Sequence, residues 1–527
     1  MMLSRRMLLS GAATLAITPA LAATKVARGA GRRKPNIILF YTDDLGYGDL
    51  GCYGATQVAT PNIDRLAAEG VRFTNGHAPS ATCTPSRYAL LTGDYAWRKE
   101  GAHILPGDAA ALIPPGKDTI PSMLKRAGYA TGLVGKWHLG LGSGALDWNK
   151  PVTPGPLEIG FDEAFFFPAT ADRVPGIYID GHDVVGLDPA DPIRVDYRSK
   201  IGDEPTGREN PDQLRMLPND GHDGTIVNGI SRIGFMTGGK KARWKDEEVA
   251  DTFLGKAKAF IAKHRDEPFF LYYATTEPHV PRVPAKRFQG ATNMGARGDL
   301  IAQLDWTIGE LVQTLKREGL DEDTMIIFSS DNGPILNDGY DDEAVTRIGN
   351  HRPSGHFRSG KYSIYEGGLT VPMIVRWPGG AAAGVESAAL VDHVDLFASL
   401  AAIAGQALPR ASAVDSFDLS RALIGRTETG RTFVVEDTST INAEQASLAG
   451  QGDSIFALVE GGWKLILPHA DATSFHGNEI GSAPAPQLFD LTRDPGETVN
   501  VADRYPERVT AMQGRLQAIL KGVRTRV

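Results

Sequence analysis

The sequence predicts an α/β protein with two parts. These are a large, mostly parallel sheet sandwiched by helices, and a smaller C-terminal antiparallel sheet closed by a helix. Continuous apolar runs occur within residues 35–44, 267–276 and 324–333. Helical patterns alternate with these runs, and the pattern changes after about residue 425. Such strand–helix alternation is typical of a doubly wound sheet.

The apolar runs indicate strands buried on both faces. Residues 37–41 are all apolar or aromatic, as expected for a central parallel strand covered by helices. The intervening helical patterns, several of which end in Gly, cover residues 61–70, 119–128, 251–264 and 300–319. Residues 170–245 are rich in Gly, Asp and Pro and predict long loops over the sheet.

The C-terminal part has a different pattern. Residues 456–467, FALVEGGWKLIL, predict two strands joined across a Glu-Gly-Gly turn. Residues 488–491 predict a further short strand, and residues 505–520 an amphipathic helix. We therefore expect one domain at 35–425 and a C-terminal subdomain at 426–527.

The N-terminus predicts a targeting segment. Residues 1–22 combine a basic start, an apolar stretch and an Ala-Leu-Ala cleavage site, and residues 23–34 form a polar linker. The pair Arg5-Arg6 is typical of a twin-arginine signal, with a general secretory signal as the alternative. No later segment approaches the roughly 18 apolar residues of a membrane span. We expect an exported protein, in the bacterial periplasm.

Composition limits the classes of partner. Apolar residues make up 42% and charged residues 22% of the 527 residues, as in an ordinary globular protein. The net charge of −8 makes nucleic acid a poor partner. The two cysteines, Cys52 and Cys83, lie in segments that look like active-site loops, so we expect no structural disulfide.

Two strands end in paired oxygen side chains. Asp43 and Asp44 follow the first apolar run, and Asp331 and Asn332 follow the run that begins at residue 324. Ligands bind at the carboxyl ends of strands in open α/β sheets, and four oxygen ligands suit Ca²⁺ or Mg²⁺ better than zinc. The alternative is that Asp and Asn simply favour turns after strands.

Basic and imidazole side chains also follow predicted strands. Lys136 and His138 come after a short strand at 130–134, where continued extended geometry would put both on one face. His279 stands between prolines after the strand at 269–274, and Lys361 follows Gly360. Each has an alternative interpretation as an ordinary loop residue, and only their convergence suggests an anion site.

Cys83 begins a predicted helix, with Pro85 in its first turn. A helix N-terminus favours negative charge, and Arg87 lies one turn further on. A thiolate would be activated at such a position. A soft thiolate, however, has no use for four hard oxygen ligands nearby.

These segments resemble the type I, formylglycine-dependent sulfatases of the alkaline phosphatase superfamily. CTPSRYALLTG at 83–93 and GYATGLVGKWHLG at 128–140 are similar to the two signature motifs of that family. The resemblance runs from residue 35 to about 502 and includes LFDLTRDPGETVNVA at 488–502. It implies an alkaline-phosphatase-like fold and hydrolysis of a sulfate ester.

The resemblance also implies a mechanism. Cys83 would be oxidised by a formylglycine-generating or sulfatase-maturating enzyme to formylglycine (3-oxoalanine), whose hydrate attacks sulfur. The metal, Ca²⁺ by resemblance with Mg²⁺ as the alternative, would be bound by Asp43, Asp44, residue 83, Asp331 and Asn332. Arg87 and Lys136 would hold the diol and the sulfate. His279 and Lys361 would face the leaving oxygen, one protonating it and both stabilising its charge. His138 would take the proton of the second diol oxygen.

The sequence gives less information about the substrate than about the reaction. Export and long loops suggest a sulfated glycan, and residues 130–380 look similar to sulfatases of galactose or N-acetylgalactosamine glycans. We expect contributions to sugar binding from loop residues that the sequence places around the motifs: Arg98, His103, Asp172, Arg173, His351, Arg352 and His356. Each is otherwise a surface loop residue.

Two other functions stay open. A phosphodiester or phosphonate monoester hydrolase of the same superfamily would share the fold and can carry formylglycine. An inactive glycan-binding relative would also share it, although such relatives usually lack the Cys or a metal Asp.

Conversion of Cys83 can be tested on the protein from its natural host. Conversion of cysteine to formylglycine removes H₂S and adds one oxygen atom. Mass spectrometry should therefore find that the tryptic peptide containing residue 83 is lighter than the peptide with cysteine. The Cys83→Ala variant should be inactive, and Cys83→Ser should stop after sulfate transfer because an alcohol cannot expel the sulfate. Fully active protein that retains an unmodified Cys83 would refute the mechanism.

Overall fold

The computed structural model describes residues 34–438, 454–470 and 472–526. The predicted leader at 1–22 and linker residues 23–33 lie outside the described residues. Residues Lys34–Val527 form one compact unit, and the expected division at residue 425 stays a prediction. No helix among the described residues is both long and apolar enough to cross a membrane.

A ten-stranded mixed sheet is the centre of the fold. Its strands are β1 Asn36–Asp43, β2 Val71–Phe73, β3 Ala130–Lys136, β4 Glu163–Phe167, β5 Ile179–Asp180, β6 Asp183–Val184, β7 Phe269–Pro278, β8 Thr324–Ser330, β9 Met373–Arg376 and β10 Val385–Ser387. Their spatial order is β10-β2-β9-β8-β1-β7-β3-β4-β5-β6. The five central strands, β8 to β4, run parallel, which confirms the predicted large, mostly parallel sheet.

The described helices are α1 Pro61–Ala68, α2 Cys83–Thr92, α3 Ile120–Arg126, α4 Val249–Lys263, α5 Gly295–Glu318, α6 Ala344–Arg347, α7 Glu366–Leu369, α8 Leu396–Ile403, α9 Ser420–Leu423 and α10 Pro506–Lys521. They cover both faces of the sheet. Ile37 and Leu39 of β1 share a buried cluster with residues of α2, α3 and α8, whereas Ile38 and Phe40 share one with residues of α1, α4 and α5. Burial on both faces explains the unbroken apolar run of β1.

The predicted C-terminal sheet is also present, with four antiparallel strands: β11 Phe433–Asp437, β12 Phe456–Glu460, β13 Trp463–Ile466 and β14 Gln487–Asp490. Gly461 and Gly462 both have positive φ, 58° and 78°. A two-residue hairpin turn needs this conformation, which glycine adopts at little cost. Helix α10 packs on this sheet through Val509, Met512 and Leu516.

Apart from β5 and β6, the strands within residues 170–245 form separate short pairs, such as Arg194–Asp196 with Phe235–Thr237. Cys52 and Cys83 are both free thiols in the structure.

A buried ion cluster connects the small sheet to α7. The Lys464 ammonium lies 2.9 Å from Glu366, 2.8 Å from Glu436 and 3.4 Å from Glu497. Burial raises the pKa of Glu497 to about 8, so this third carboxyl is mostly protonated at neutral pH. Lys464 therefore holds two buried carboxylates, one from the small sheet and one from α7.

Replacing Lys464 with Met should cost about 3–5 kcal/mol of unfolding free energy, because two buried carboxylates keep only His77 as a basic partner among the described residues. His77 lies 3.0 Å from Glu436 and 3.9 Å from Glu366. Urea unfolding followed by circular dichroism measures this loss. The matched control is Lys241→Met, which removes an exposed lysine paired with Asp188 and should leave the unfolding curve nearly unchanged. Equal curves for the two variants would contradict a stabilising role of Lys464.

Candidate active site

Four neighbouring parallel strands bring polar side chains to one edge of the sheet. Strand β1 ends at Asp43, and Asp331 and Asn332 directly follow β8. His279 follows β7, and Lys136 ends β3. Because β8, β1, β7 and β3 are adjacent in this order, their carboxyl ends place these residues together. The sheet thus assembles residues that lie up to nearly three hundred positions apart in the chain.

The turn after β1 directs a second carboxylate into the same place. Asp44 has a φ of 62°, a left-handed conformation that Asp tolerates better than most residues. Its backbone N–H donates to Asp331 Oδ1 at 3.2 Å. In β3, Gly135 allows close approach to β7, since a Cβ at this position would lie 1.8 Å from the carbonyl oxygen of Ala274. These two features bring the strand ends close together.

Each of the three buried carboxylates has its own cation. The pairs are Asp43 with Lys136 at 2.7 Å, Asp44 with Lys361 at 2.9 Å, and Asp331 with Arg87 at 2.7 Å. Burial alone would raise the pKa of Asp331, but Arg87 and Lys136 hold it below its usual value. Burial raises the pKa of Asp43 in spite of its cations. The cluster is therefore closely balanced between buried negative and positive charge.

The donor set fits a hard divalent cation. Ligand atoms of Asp43, Asp44, Cys83 and His279 all lie within 4.8 Å of one another. The side chain of Asn332 donates to Asp44 Oδ1 at 2.7 Å, while its buried Oδ1 has no hydrogen-bond partner among the described residues. A buried amide oxygen without a partner is costly, and a metal ion would satisfy it.

Cys83 is the first residue of α2 and is buried, with Thr82 as the N-cap. Its Sγ lies 3.7 Å from Asp43 Oδ1. Burial raises the pKa of the Cys83 thiol. The expectation that the helix N-terminus would activate a thiolate here is therefore wrong, because the loss of solvent outweighs the nearby positive charges. A neutral thiol beside carboxylates is a poor nucleophile.

His138 reaches the site by a different geometry from the one predicted. The strand ends at Lys136, and His138 has a φ of 56°, so extended alternation does not continue as expected. Its Nε2 lies 2.9 Å from the Leu105 carbonyl oxygen, while Nδ1 is buried without a hydrogen-bond partner among the described residues. Burial, and then Lys136, lower the pKa of His138. Its ring is thus neutral, with Nδ1 available to accept a proton.

A fourth aspartate, which no sequence motif reveals, faces His279 and Lys361. Asp338 Oδ2 lies 2.8 Å from Lys361 Nζ and 3.8 Å from His279 Nε2. His279 Nδ1 lies 2.6 Å from the carbonyl oxygen of Val280, to which it donates, so Nε2 faces the carboxylates. Burial alone would raise the pKa of Asp338, but Lys361 and then His279 lower it. Asp338 stands in an Asn-Asp-Gly turn, so its residue type gave no functional signal.

Asp172 and Arg173 lie beside this group. Asp172 is buried, pairs with Arg173 at 3.0 Å and with His222 Nε2 at 3.0 Å. Burial would raise the pKa of Asp172, but Arg173, His222 and His279 lower it, which places the pair within electrostatic reach of His279. No sequence motif reveals His222 either, because a single His in a Gly- and Asp-rich loop has no distinctive pattern.

The other predicted sugar-binding residues are arranged differently. All the guanidinium nitrogens of Arg98 are engaged, by Asp415 and by the carbonyl of Gly522, so the structure does not bring it to the cluster. His103 is partly buried, two residues before the Leu105 carbonyl that holds His138.

The segment at 351–358 packs against the turn after Asp44. His351 is buried and lies 2.8 Å from Asp49, a structural pairing. Arg352 and His356 are exposed. The structure thus brings together the ten predicted metal and catalytic positions but spreads the predicted sugar-binding residues over several loops.

Comparisons with known proteins agree with this arrangement. The family model described as Sulfatase matches residues 35–406. An N-acetylgalactosamine-6-O-sulfatase from Bacteroides thetaiotaomicron is 50% identical over 502 residues, 94% of each chain. Human arylsulfatase A is 32% identical over 91% of this chain and 87% of that protein. A solved Bacteroides thetaiotaomicron structure, from work on glycosaminoglycan metabolism, has a TM-score of 0.89 at 50% identity and covers 93% of this chain and 100% of that chain.

Proposed function

Since the chain belongs to the sulfatase family and is a sulfuric ester hydrolase, we propose that it removes sulfate from a galactose-type sugar of a glycan, N-acetylgalactosamine 6-sulfate in particular. The observation that carries sulfate ester hydrolysis is the cluster of three cation-paired carboxylates around Cys83, and the choice of sugar rests on similarity. The relative that is 50% identical is named for that sulfated sugar. An export signal and a glycan substrate outside the cytoplasm are consistent with each other, and periplasmic export is part of the proposal.

Metal binding is the first part of the proposed mechanism. Asp43, Asp44, Asp331 and Asn332 would hold Ca²⁺, with residue 83 as a further ligand. The unpartnered oxygen of Asn332 supports this assignment. When bound, the ion supplies positive charge for the anionic sulfate and lowers the pKa of an oxygen ligand.

Conversion of Cys83 is the second part. Its buried neutral thiol argues against direct attack by sulfur. Formylglycine at this position supplies, as its hydrate, one hydroxyl to attack the sulfate ester and another whose deprotonation expels sulfate. Arg87 and Lys136, which pair with Asp331 and Asp43, would orient the anionic oxygens of the sulfate by hydrogen bonds and charge.

Two histidines would transfer protons in the proposed mechanism. His279 donates through Nδ1 to the Val280 carbonyl, which leaves Nε2 facing the reacting groups. In the imidazolium form Nε2 also carries a proton, and this is the proton that would pass to the leaving sugar oxygen. Lys361 would stabilise negative charge on the same oxygen. His138 donates through Nε2 to the Leu105 carbonyl, so its Nδ1 would accept the proton released on the other side. Asp172 and Arg173, within electrostatic reach of His279, would contact sugar hydroxyls.

The substrate proposal is tested by comparing kcat/KM for different esters. N-acetylgalactosamine 6-sulfate should be the best substrate, ahead of N-acetylgalactosamine 4-sulfate, N-acetylglucosamine 6-sulfate and 4-nitrophenyl sulfate. Bis-4-nitrophenyl phosphate tests the phosphodiester alternative. Faster turnover of that diester than of every sulfate ester would overturn the proposal, and a preference for the 4-sulfate would overturn the assigned position.

The metal proposal predicts calcium binding by protein whose residue 83 is converted. Titration calorimetry should show one site, and Ca²⁺ should raise the melting temperature. Asn332→Leu should weaken binding by about tenfold or more, since even an indirect partner of a metal contributes that much. The control is Asn36→Leu, a buried asparagine at the other end of β1, which should bind Ca²⁺ like the wild type. If the two variants bind Ca²⁺ with equal affinity, Asn332 is not a metal ligand.

A further inference from the structure

One buried guanidinium near the site has no role in the mechanism so far. Arg282 follows His279 by three residues, and its side chain is 1% exposed. It donates from Nε to the Pro278 carbonyl at 3.0 Å. Its other nitrogens donate to the carbonyls of Ile335 at 2.8 Å and Leu336 at 2.8 Å. Arg282 therefore joins the segment that carries His279 to the segment that follows β8.

The second segment controls Lys361. Its Pro334 carbonyl accepts the backbone N–H of Lys361 at 2.9 Å, and its Asp338 carboxylate accepts the Lys361 ammonium at 2.8 Å. The two carbonyls that Arg282 binds lie between these two anchors in the chain. A shift of this segment would thus move both the backbone and the side chain of Lys361.

The sheet does not connect the two segments directly. His279 follows β7 and Asp338 follows β8, but β1 lies between these strands. Prolines at 278, 281 and 284 have no backbone N–H, so the His279 segment has few backbone hydrogen-bond donors. Side-chain hydrogen bonds must therefore set the distance between His279 and Lys361. Arg282 provides two that cross between the segments, and its bond to the Pro278 carbonyl fixes the guanidinium within its own segment.

We propose that Arg282 is a positioning residue for protonation of the leaving group, an inference that rests on the proposed function. It holds His279 Nε2 and the Lys361–Asp338 pair toward one point, where the sulfur–oxygen bond breaks. A hydroxyl oxygen of converted residue 83 would form the new bond to sulfur, and the electron pair of the broken bond would go to the sugar oxygen. That oxygen would take the Nε2 proton of the His279 imidazolium, which leaves a neutral ring protonated on Nδ1. Displacing a proton donor by about 1 Å can cost about 100-fold in rate.

A purely structural role makes a different prediction. Arg282 also forms a buried ion pair with Asp342 at 2.6 Å, and the loss of that pair alone would destabilise the fold. Lysine can keep this charge pair but cannot bind three carbonyls on two segments as the planar guanidinium does. The conservative Arg282→Lys variant therefore separates charge pairing from positioning.

The experiment compares Arg282→Lys with Arg431→Lys, each with conversion of residue 83 verified by mass spectrometry. Arg431 is a matched control, since it is also buried and donates to the carbonyl of Phe433 and to Asp395 at 2.9 Å. For the sulfated sugar that the wild type hydrolyses fastest, Arg282→Lys should lower kcat about 100-fold with KM little changed. Arg431→Lys should keep the wild-type kcat at a similar melting temperature.

A second variant, Asp342→Asn, removes the charge partner and leaves the carbonyl bonds of Arg282, so it should keep most of the wild-type kcat. Loss of kcat in Asp342→Asn but not in Arg282→Lys would show that charge pairing matters and would overturn the proposal. Wild-type kcat in Arg282→Lys would also overturn it. If the wild type hydrolyses no sulfated sugar, the proposed function itself fails, which is a distinct result.

Discussion

The constraint on which the site depends is the burial of four carboxylates in one small volume. Asp43, Asp44, Asp331 and Asp338 are each at most 5% exposed, so water cannot screen their mutual repulsion. Three cations, Arg87, Lys136 and Lys361, offset most of this charge. A divalent ion would shift the balance to positive, and a dry positive site is what an anionic sulfate ester requires.

This charge balance also determines the state of the other groups. Burial keeps the Cys83 thiol protonated, and burial with Lys136 keeps His138 neutral. Backbone carbonyls then determine which ring nitrogen of each histidine faces the reactants: Leu105 for His138 and Val280 for His279. Nucleophile precursor, base and acid are thus set by solvent exclusion and by hydrogen bonds outside the reacting atoms.

Particular residues show how far the sequence could predict this site. The metal positions could be predicted because Asp43 and Asp331 directly follow apolar runs, and parallel strands end at one edge. Asp338 and His222 could not, because they stand in irregular loops with ordinary turn composition. Arg98 and His351 looked like loop residues near the motifs, yet buried aspartates at 415 and 49 hold them elsewhere. No local pattern reveals such distant partners.

By itself, the sequence determined the sheet architecture, the motif segments and the residue types that meet at the strand ends. Periodicity and strand direction are local properties, and together they imply where a strand's last residue lies. Only the tertiary structure decided the protonation state of Cys83, the orientation of His138 and the cross-connection through Arg282. Those features depend on burial and on hydrogen bonds between residues 33 to 54 positions apart, which no local pattern specifies.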